Sequence, residues 1–415
     1  MIINLPDMGL TRDLARIELV PVFENLVLAL AVSFAICMLN IATAGWHGRY
    51  SNDLDTDGVQ KVHDRIVPRI GGLGVFAGVL AVAAYGFLDT ASVLPGTPAR
   101  TAMLGLLFAS IPAFASGSME DLTKAVSPRA RLLCIVGSAA LAAWLLAAQL
   151  PRLDTWGIDT ALAVAPLSIA ITLLGVAGVT NSINIIDGFH GVAGITVVII
   201  LCGMGVLAWQ AGDDVITQLA VAGIGATIGF LILNYPTGRI FLGDGGAYFL
   251  GFWIAEIAVL MVVRNPKINA WQILAIYAYP VIEVLFSIYR RKILYGALAR
   301  APDRLHLHSL FYRRFARHKF ARQQIPWMCN AGVACFVGTW IGSATLCSVL
   351  FGDTIQVAVA LVLVQVVAYI AVYMRLVRGH WGHCRKLAVV LGLRPQPRRH
   401  PLENDLAAAG PHVYS

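Results

Sequence analysis

Charge is what this chain lacks most. Only 13% of its 415 residues are Asp, Glu, Lys or Arg, against roughly 25% in a soluble domain. With 58% hydrophobic residues and a mean hydropathy of +0.73, that deficit excludes an ordinary soluble globule and leaves an integral membrane protein. Paired cysteines are missing too. The seven cysteines show no CxxC spacing and six lie in apolar runs, so neither a zinc site nor a disulfide framework is indicated. No GxxxxGK[ST] and no Gly-rich dinucleotide fingerprint occurs. A phosphate-bearing ligand would therefore not sit in a familiar soluble nucleotide fold. No internal repeat of the transporter kind is visible. The opening stretch MIINLPDMGLTRDLARIELV mixes acids with bases and has no apolar core before residue 22, so the first hydrophobic block reads as a retained span.

What is present is a succession of long apolar blocks. A membrane helix needs about 20 mostly apolar residues in a row. Eleven blocks qualify as expected spans: 22–44, 70–88, 101–117, 132–150, 160–181, 191–209, 216–233, 246–263, 271–289, 329–350 and 354–374. The expected fold class is all-α, with about 11 transmembrane helices in one polytopic domain over 1–374. A basic cytoplasmic tail, expected to be disordered, follows over 375–415. Pro112 and Pro166 fall inside two of the blocks, which a membrane helix tolerates.

The net charge of +8 is a matter of sidedness rather than of nucleic acid, which is not an expected partner. One set of connections (45–69, 118–131, 182–190, 234–245, 290–328 and the tail) holds 25 of the 31 Lys and Arg residues. The positive-inside rule makes this the cytoplasmic set, with the N-terminus periplasmic and the C-terminus cytoplasmic. The basic, aromatic stretch DRLHLHSLFYRRFARHKFARQ suits a helix lying on anionic lipid.

Chemistry-capable residues crowd the same side. They lie in QKVHDRIVPRIGG (60–72), SMEDLTKAVSPRARL (118–132), NSINIIDGFHG (181–191), NYPTGRIFLGDGGAYFLGF (234–252) and PDRLHLHSL (302–310). Acids with amides suit a magnesium ion bound partly through substrate phosphates, and arginines and histidines suit phosphate oxygens. Gly245 and Gly246 would let backbone approach a phosphate closely. Within NSINIIDGFHG, helix geometry puts Asn184 and Asp187 on one side and Asn181 opposite His190. A helix end near Asp187-Gly188, with Asn181 as an anchor, is the expected arrangement. Glu256 and Glu283 stand inside spans with no paired partner in the sequence and read as structural.

In these five motifs and their order, from about residue 60 to 310, the chain resembles the polyprenyl-phosphate N-acetylhexosamine-1-phosphate transferases, which include the muramyl-pentapeptide transferase. The span number resembles the branch making undecaprenyl-diphosphate N-acetylglucosamine. The resemblance implies a multi-pass enzyme of the bacterial inner membrane. Its partners would be a UDP-N-acetylhexosamine, undecaprenyl phosphate and membrane lipid, with a homodimer left open. It implies Mg2+, with Mn2+ as a substitute, and release of UMP in the first step toward a surface polysaccharide.

By the same resemblance, Asp244 binds the metal and Asn184 reaches the metal and the diphosphate. Asp187 is the acid at the nucleotide end. Asn234 and Phe241 line a uracil pocket, Phe241 stacking on the base. Asp121 is the base for the lipid phosphate, beside Glu120 in the family's acid pair. Arg131 contacts the diphosphate. Lys61 and His63 match the KxHxxxxPRxGG segment, and Arg304, His306 and His308 match a histidine loop closing on the site. The chain departs from the pattern at Glu120, His190 and Ser309, where the family carries Asp, Asp and His. His190 therefore bears on donor choice. Two other readings stay open: the same chemistry with another UDP-amino-sugar or a UDP-muramyl-peptide, and a transporter or lipid flippase, which would place ionisable groups near the midplane.

Overall fold

Residues 19–51, 67–88, 98–294, 305–316 and 326–378 are described by a computed structural model. Among them the architecture is all-helical. In hydrocarbon each backbone N–H and C=O must be satisfied inside its own segment, and a helix does this for an apolar run. The helices are α1 (Leu19–Ala42), α2 (Ala44–Ser51), α3 (Gly71–Leu88), α4 (Pro98–Thr123), α5 (Pro128–Leu145), α6 (Ile158–Leu162), α7 (Ala165–Ile186), α8 (Val192–Gln210), α9 (Asp214–Asn234), α10 (Gly243–Arg264), α11 (Ala270–Ile276), α12 (Ala278–Tyr289), α13 (Leu307–Phe311), α14 (Pro326–Phe351) and α15 (Ile355–Arg378). The wider π-type segments Arg290–Leu294 and Tyr312–Ala316 continue α12 and α13.

Nine of these helices are long and apolar enough to cross a membrane. Two expected spans differ from a simple crossing. The 271–289 block is not one helix: α11 and α12 meet at an 81° bend, at Tyr277. The 70–88 block carries a shorter apolar stretch, Gly71–Tyr85. The 160–181 block also moves. Its helix starts at Ala165 and runs to Ile186. Pro166 thus falls in the first turn, where its missing N–H costs nothing, and Asn184 is carried on the helix.

The core forms around α10. Every residue from Gly245 to Val262 is buried, Glu256 among them, and the rest of the helix is apolar on every side, as a helix wrapped all round must be. It packs against α3, α4, α7, α8 and α9. Small residues permit the closest crossings. A Cβ on Gly117 of α4 would lie 2.6 Å from the Asp244 carbonyl, and one on Gly246 would lie 2.7 Å from Gly72 Cα of α3. This corrects the expectation for Gly245 and Gly246. A Cβ on Gly245 would meet Ser118, so both glycines serve helix contact rather than phosphate approach.

The loop end away from the site is tied by ion pairs. Asp213 caps α9, accepting from Val215 N at 3.1 Å and Ile216 N at 3.3 Å. Arg264 donates to both its oxygens at 2.8 and 3.0 Å, and Asn265 adds a bond at 3.0 Å. Arg152 donates to Asp154 and to the carbonyls of Asn265, Pro266 and Ile268. Burial alone would raise the Asp213 carboxyl, but the bonds from Arg264 and Asn265 hold it below its ordinary value. Its stabilisation is therefore complete above the unfolded pKa of about 3.9 and is lost as pH falls through the lower folded value. Asp213→Asn is expected to lower stability at pH 7 by roughly 2 kcal/mol, the worth of a hydrogen bond to a charged group. Thermal unfolding in micelles checks this; a deficit that persists unchanged into strong acid contradicts the assignment.

Candidate active site

The polar residues singled out from the sequence meet at one end of the bundle. The ends of α4, α7 and α9 and the starts of α5 and α10 come together there. The starting point is the N-terminus of α10, whose first amides have no partner within the helix. Gly243 adopts φ +77°, a left-handed turn that favours glycine, and Leu242 at the N-cap offers no side-chain acceptor. Asp121, at the end of α4, supplies the cap from outside. Its Oδ1 accepts from Asp244 N at 3.0 Å and its Oδ2 from Gly245 N at 2.9 Å. The carboxyl is buried.

That arrangement gives Asp121 a task beyond the one expected for it. Each oxygen accepts one bond from an α10 amide, so Asp121 orients Asp244, and each keeps a second lone pair. Asp121→Asn keeps one acceptor but turns an NH2 toward an amide N–H. It is expected to lower activity about 30- to 100-fold, which corresponds to roughly 2–3 kcal/mol, with a lower melting temperature. Unchanged melting with full loss of activity would contradict the capping role. Glu120 points elsewhere: its Oε2 accepts from Val126 N at 2.8 Å, closing the α4–α5 loop rather than facing Asp244.

Asp244 stands at the centre. Its Oδ1 accepts from Asn184 Nδ2 at 3.1 Å, and its Oδ2 takes a short charge-assisted bond from Arg131 Nη1. Arg69 spans the two acids, with Nη2 3.6 Å from Asp244 Oδ1 and Nε 3.8 Å from Asp121 Oδ1. Arg69, in the PRIGG stretch, is not among the site residues expected from the sequence. The signal lies in the backbone pairing beside it: Phe241 N donates to Pro68 O at 2.8 Å, and Gly71 N to Phe241 O at 2.9 Å. This pairing sets the Arg69 segment against the entrance to α10.

Asp187 caps the C-terminal end of α7, where the helix was expected to break. Burial pushes its carboxyl well above the usual carboxylate range. Arg69 opposes that shift, while Asp244 and Asp121 add to it. Three acids and two arginines are thus gathered at one point. Asn181 donates to Ala177 O of its own helix at 2.9 Å, an anchor as expected.

The turn after Asp187 and the loop after α9 form a second wall. Asn234 Oδ1 accepts from Gly191 N, and its Nδ2 donates to Ile240 O, both at 2.7 Å. Its amide therefore pins two loops together and is not turned to a base pocket. His190 lies under the 235–241 loop. Its ring centroid is 5.4 Å from that of Phe241, its Nδ1 is 3.3 Å from Pro236 O, and Gly238 (φ +64°) leaves room for its ring. Burial lowers the His190 pKa, opposed by the Pro236 carbonyl, so the ring is neutral at pH 7. Its ring contact bears on the position of Phe241. Phe241 itself is half-buried.

His306 and His308, before and within α13, close the far side. Phe189 meets the His308 ring edge-on at 5.7 Å, so the histidine segment rests on the Asp187–His190 turn. Lys61, His63 and Arg304 lie outside the described residues.

Among the described residues no three His, Cys, Asp or Glu side chains converge as a metal cage. The donor set at Asp244 nonetheless fits a hard divalent cation of the Mg2+ kind. Asn184 turns its NH2 to Asp244 Oδ1, so half a turn of that amide would bring its oxygen beside the carboxylate, leaving most positions to water and substrate oxygens, as Mg2+ prefers.

Residues 103–262 match the profile of Glycosyl transferase family 4. The chain is 30% identical over 259 residues to the probable undecaprenyl-phosphate N-acetylglucosaminyl 1-phosphate transferase of Bacillus subtilis, covering 61% of this chain and 68% of that protein. It is 29% identical over 267 residues to the undecaprenyl-phosphate alpha-N-acetylglucosaminyl 1-phosphate transferase of Yersinia pestis, covering 63% and 69%. Over 115 residues it is 31% identical to the phospho-N-acetylmuramoyl-pentapeptide-transferase of Streptococcus thermophilus, covering 28% and 32%.

Proposed function

We propose, from the premise that this chain belongs to glycosyl transferase family 4 and is a polyprenyl-phosphate N-acetylhexosamine phosphotransferase, that it moves N-acetylglucosamine 1-phosphate from UDP-N-acetylglucosamine to undecaprenyl phosphate. An oxygen of the lipid phosphate attacks the β-phosphorus of the donor. The bond from that phosphorus to the α-phosphate oxygen breaks, UMP leaves with the electron pair, and a lipid-diphospho-sugar remains. The bundle lies in the bacterial inner membrane with this site facing the cytoplasm, a placement supported by the basic residues of the 45–69, 118–131 and 290–328 connections.

The observation that carries the reading is the meeting of Asp244, Asn184, Arg131 and Arg69 at the N-terminus of α10. Phosphoryl transfer asks the protein for positioning and for charge placed where oxygens become more negative. Arg131 and Arg69 are long enough to turn from Asp244 to the diphosphate oxygens. The α10 start adds the positive end of a helix dipole. Asp244 and the Asn184 amide oxygen would hold Mg2+, which when bound neutralises diphosphate charge. Asp187 stands at the nucleotide end, where burial raises its pKa, and its carboxyl can hydrogen-bond the ribose or base. Phe241 stacks on the uracil. Donor identity rests on the relatives' names and on the residues that differ from the family pattern, His190 and Ser309.

Purified protein supplied with undecaprenyl phosphate, Mg2+ and a panel of UDP-sugars is expected to release UMP fastest with UDP-N-acetylglucosamine. Release with none of the UDP-amino-sugars ends the transferase reading. Release with a different one moves the donor and leaves the chemistry standing.

A further inference from the structure

Glu283, like Glu256, is a buried acid of a membrane helix that the site does not account for, and it is the one of the two with hydrogen-bond partners among the described residues. It sits in α12, only 1% exposed. An acid placed there is costly unless several donors converge on it. They do. His306 Nδ1 is 2.9 Å from Oε1, Leu307 N is 3.1 and 3.2 Å from the two oxygens, and Tyr279 OH is 3.4 Å from Oε2. His308 also turns its Nδ1 to this carboxylate, 3.8 Å from Oε2, within reach of its charge but too long for a hydrogen bond. This overturns the reading of Glu283 as a span residue with no partner, because its partners stand 23 to 25 residues further along the chain.

The two imidazoles are parallel, 5.4 Å apart with planes within 1°. Both present Nδ1 to Glu283, so both point Nε2 away from it. For His308 the far side is known: a Cβ on Gly188 would lie 3.7 Å from its Nε2, next to Asp187. The segment is gripped a second time by Arg290, whose Nη1 donates to Leu305 O at 2.7 Å and to Tyr373 OH at 2.6 Å. Tethers at Leu305 and Leu307 bracket His306.

We propose that Glu283 is a positioning residue for the transfer reaction, holding His306 and His308 with protons on Nδ1 and turning the Nε2 of His308 toward the Asp187–His190 turn, where a donor group binds. The proposal rests on the transferase reading above and names how its histidines are set. An ionised carboxylate only accepts hydrogen bonds. His306, within hydrogen-bond distance, therefore carries Nδ1–H, and the charge of the carboxylate favours the same tautomer in His308, whose neutral ring then keeps Nε2 as an acceptor. This follows the logic of an acid that fixes an imidazole tautomer without itself reacting.

Glu283→Gln tests it. Gln preserves the size and the oxygen that accepts from Leu307, but it replaces the other oxygen with an NH2 donor. Whichever way the amide turns, one of the two imidazoles loses its acceptor and moves its proton to Nε2. In 15N spectra of histidine-labelled protein, the wild type is expected to show His306 and His308 as Nδ1–H tautomers, and the variant to show one of them as Nε2–H. At an unchanged melting temperature, kcat is expected to fall about 10- to 100-fold with the donor KM within threefold of wild type. Glu283→Asp, which keeps two acceptor oxygens, is expected to recover part of kcat and both Nδ1–H signals. Both histidines remaining Nδ1–H in the Gln variant overturns the proposal. So does wild-type kcat, or a kcat loss no larger than the loss of folded protein. A wild type that releases no UMP with any UDP-sugar refutes the transferase reading instead, and the tautomer measurement still stands on its own.

Discussion

Asp244→Asn is expected to lower UMP release by about 10³-fold, equal to roughly 4 kcal/mol of transition-state stabilisation, while the protein still folds. The fold should survive because the α10 amides are capped by Asp121, not by the Asp244 side chain, and Asn has nearly the size of Asp. The activity should not survive. Asp244 is the one carboxylate with an Asn184 amide and both arginines arrayed on it, and an amide is a far poorer ligand for a hard divalent cation. A second consequence has the opposite sign. Without the Asp244 charge, Arg131 and Arg69 lose an anionic partner, so UDP in the absence of metal should bind as tightly as before or tighter. Calorimetry with UDP, beside the UMP assay, reads both. Full activity in this variant sinks the assignment of Asp244 as the metal-binding residue.

Arg131→Gln is expected to act in opposite directions on metal and donor. Arg131 holds one Asp244 oxygen, while Asn184 and Arg69 approach the other. An arriving cation must compete with these groups. Two unit charges 4 Å apart interact by about 4 kcal/mol at an effective dielectric near 20. The side chains are partly exposed and Arg69 remains, so removing Arg131 should tighten binding of Mn2+ alone by about tenfold. The same change should weaken the donor, raising its KM by about tenfold or more, because a diphosphate loses a bidentate clamp. Metal titration by electron paramagnetic resonance gives the first number and steady-state kinetics the second. Metal binding that weakens or stays unchanged in the variant contradicts the pairing of Arg131 with Asp244.

NSINIIDGFHG was legible because it combines local rules. Helix geometry separates Asn181 from Asn184 and Asp187, and Gly188 and Gly191 mark the break; α7 ends at Ile186. Asp121 was legible as a residue of the site but not in its task. Its burden is set by the α10 amides, which lie more than 120 positions away and leave no trace near residue 121. Asn234 shows the same limit. A polar residue at a helix end reads as a ligand contact, yet its amide joins Gly191 to Ile240. Arg69 was passed over because an arginine beside glycines has no local signature, and only the pairing of residues 68–71 with 241–242 brings it to the acids.

The sequence by itself determined the solvent, the helical class and the neighbourhood of the chemistry. Long uncharged runs force helices wherever water is absent, and a membrane chain confines its costly polar groups to loops and helix ends. Tertiary structure alone decided which polar groups share a hydrogen bond. Asp121 caps α10, Arg131 and Arg69 converge on Asp244, and Glu283 holds His306 and Leu307. The physical reason is one of range. Helix periodicity and hydropathy act over a few residues, whereas a hydrogen bond needs two atoms within about 3 Å, a distance set by how helices far apart in the chain pack against α10.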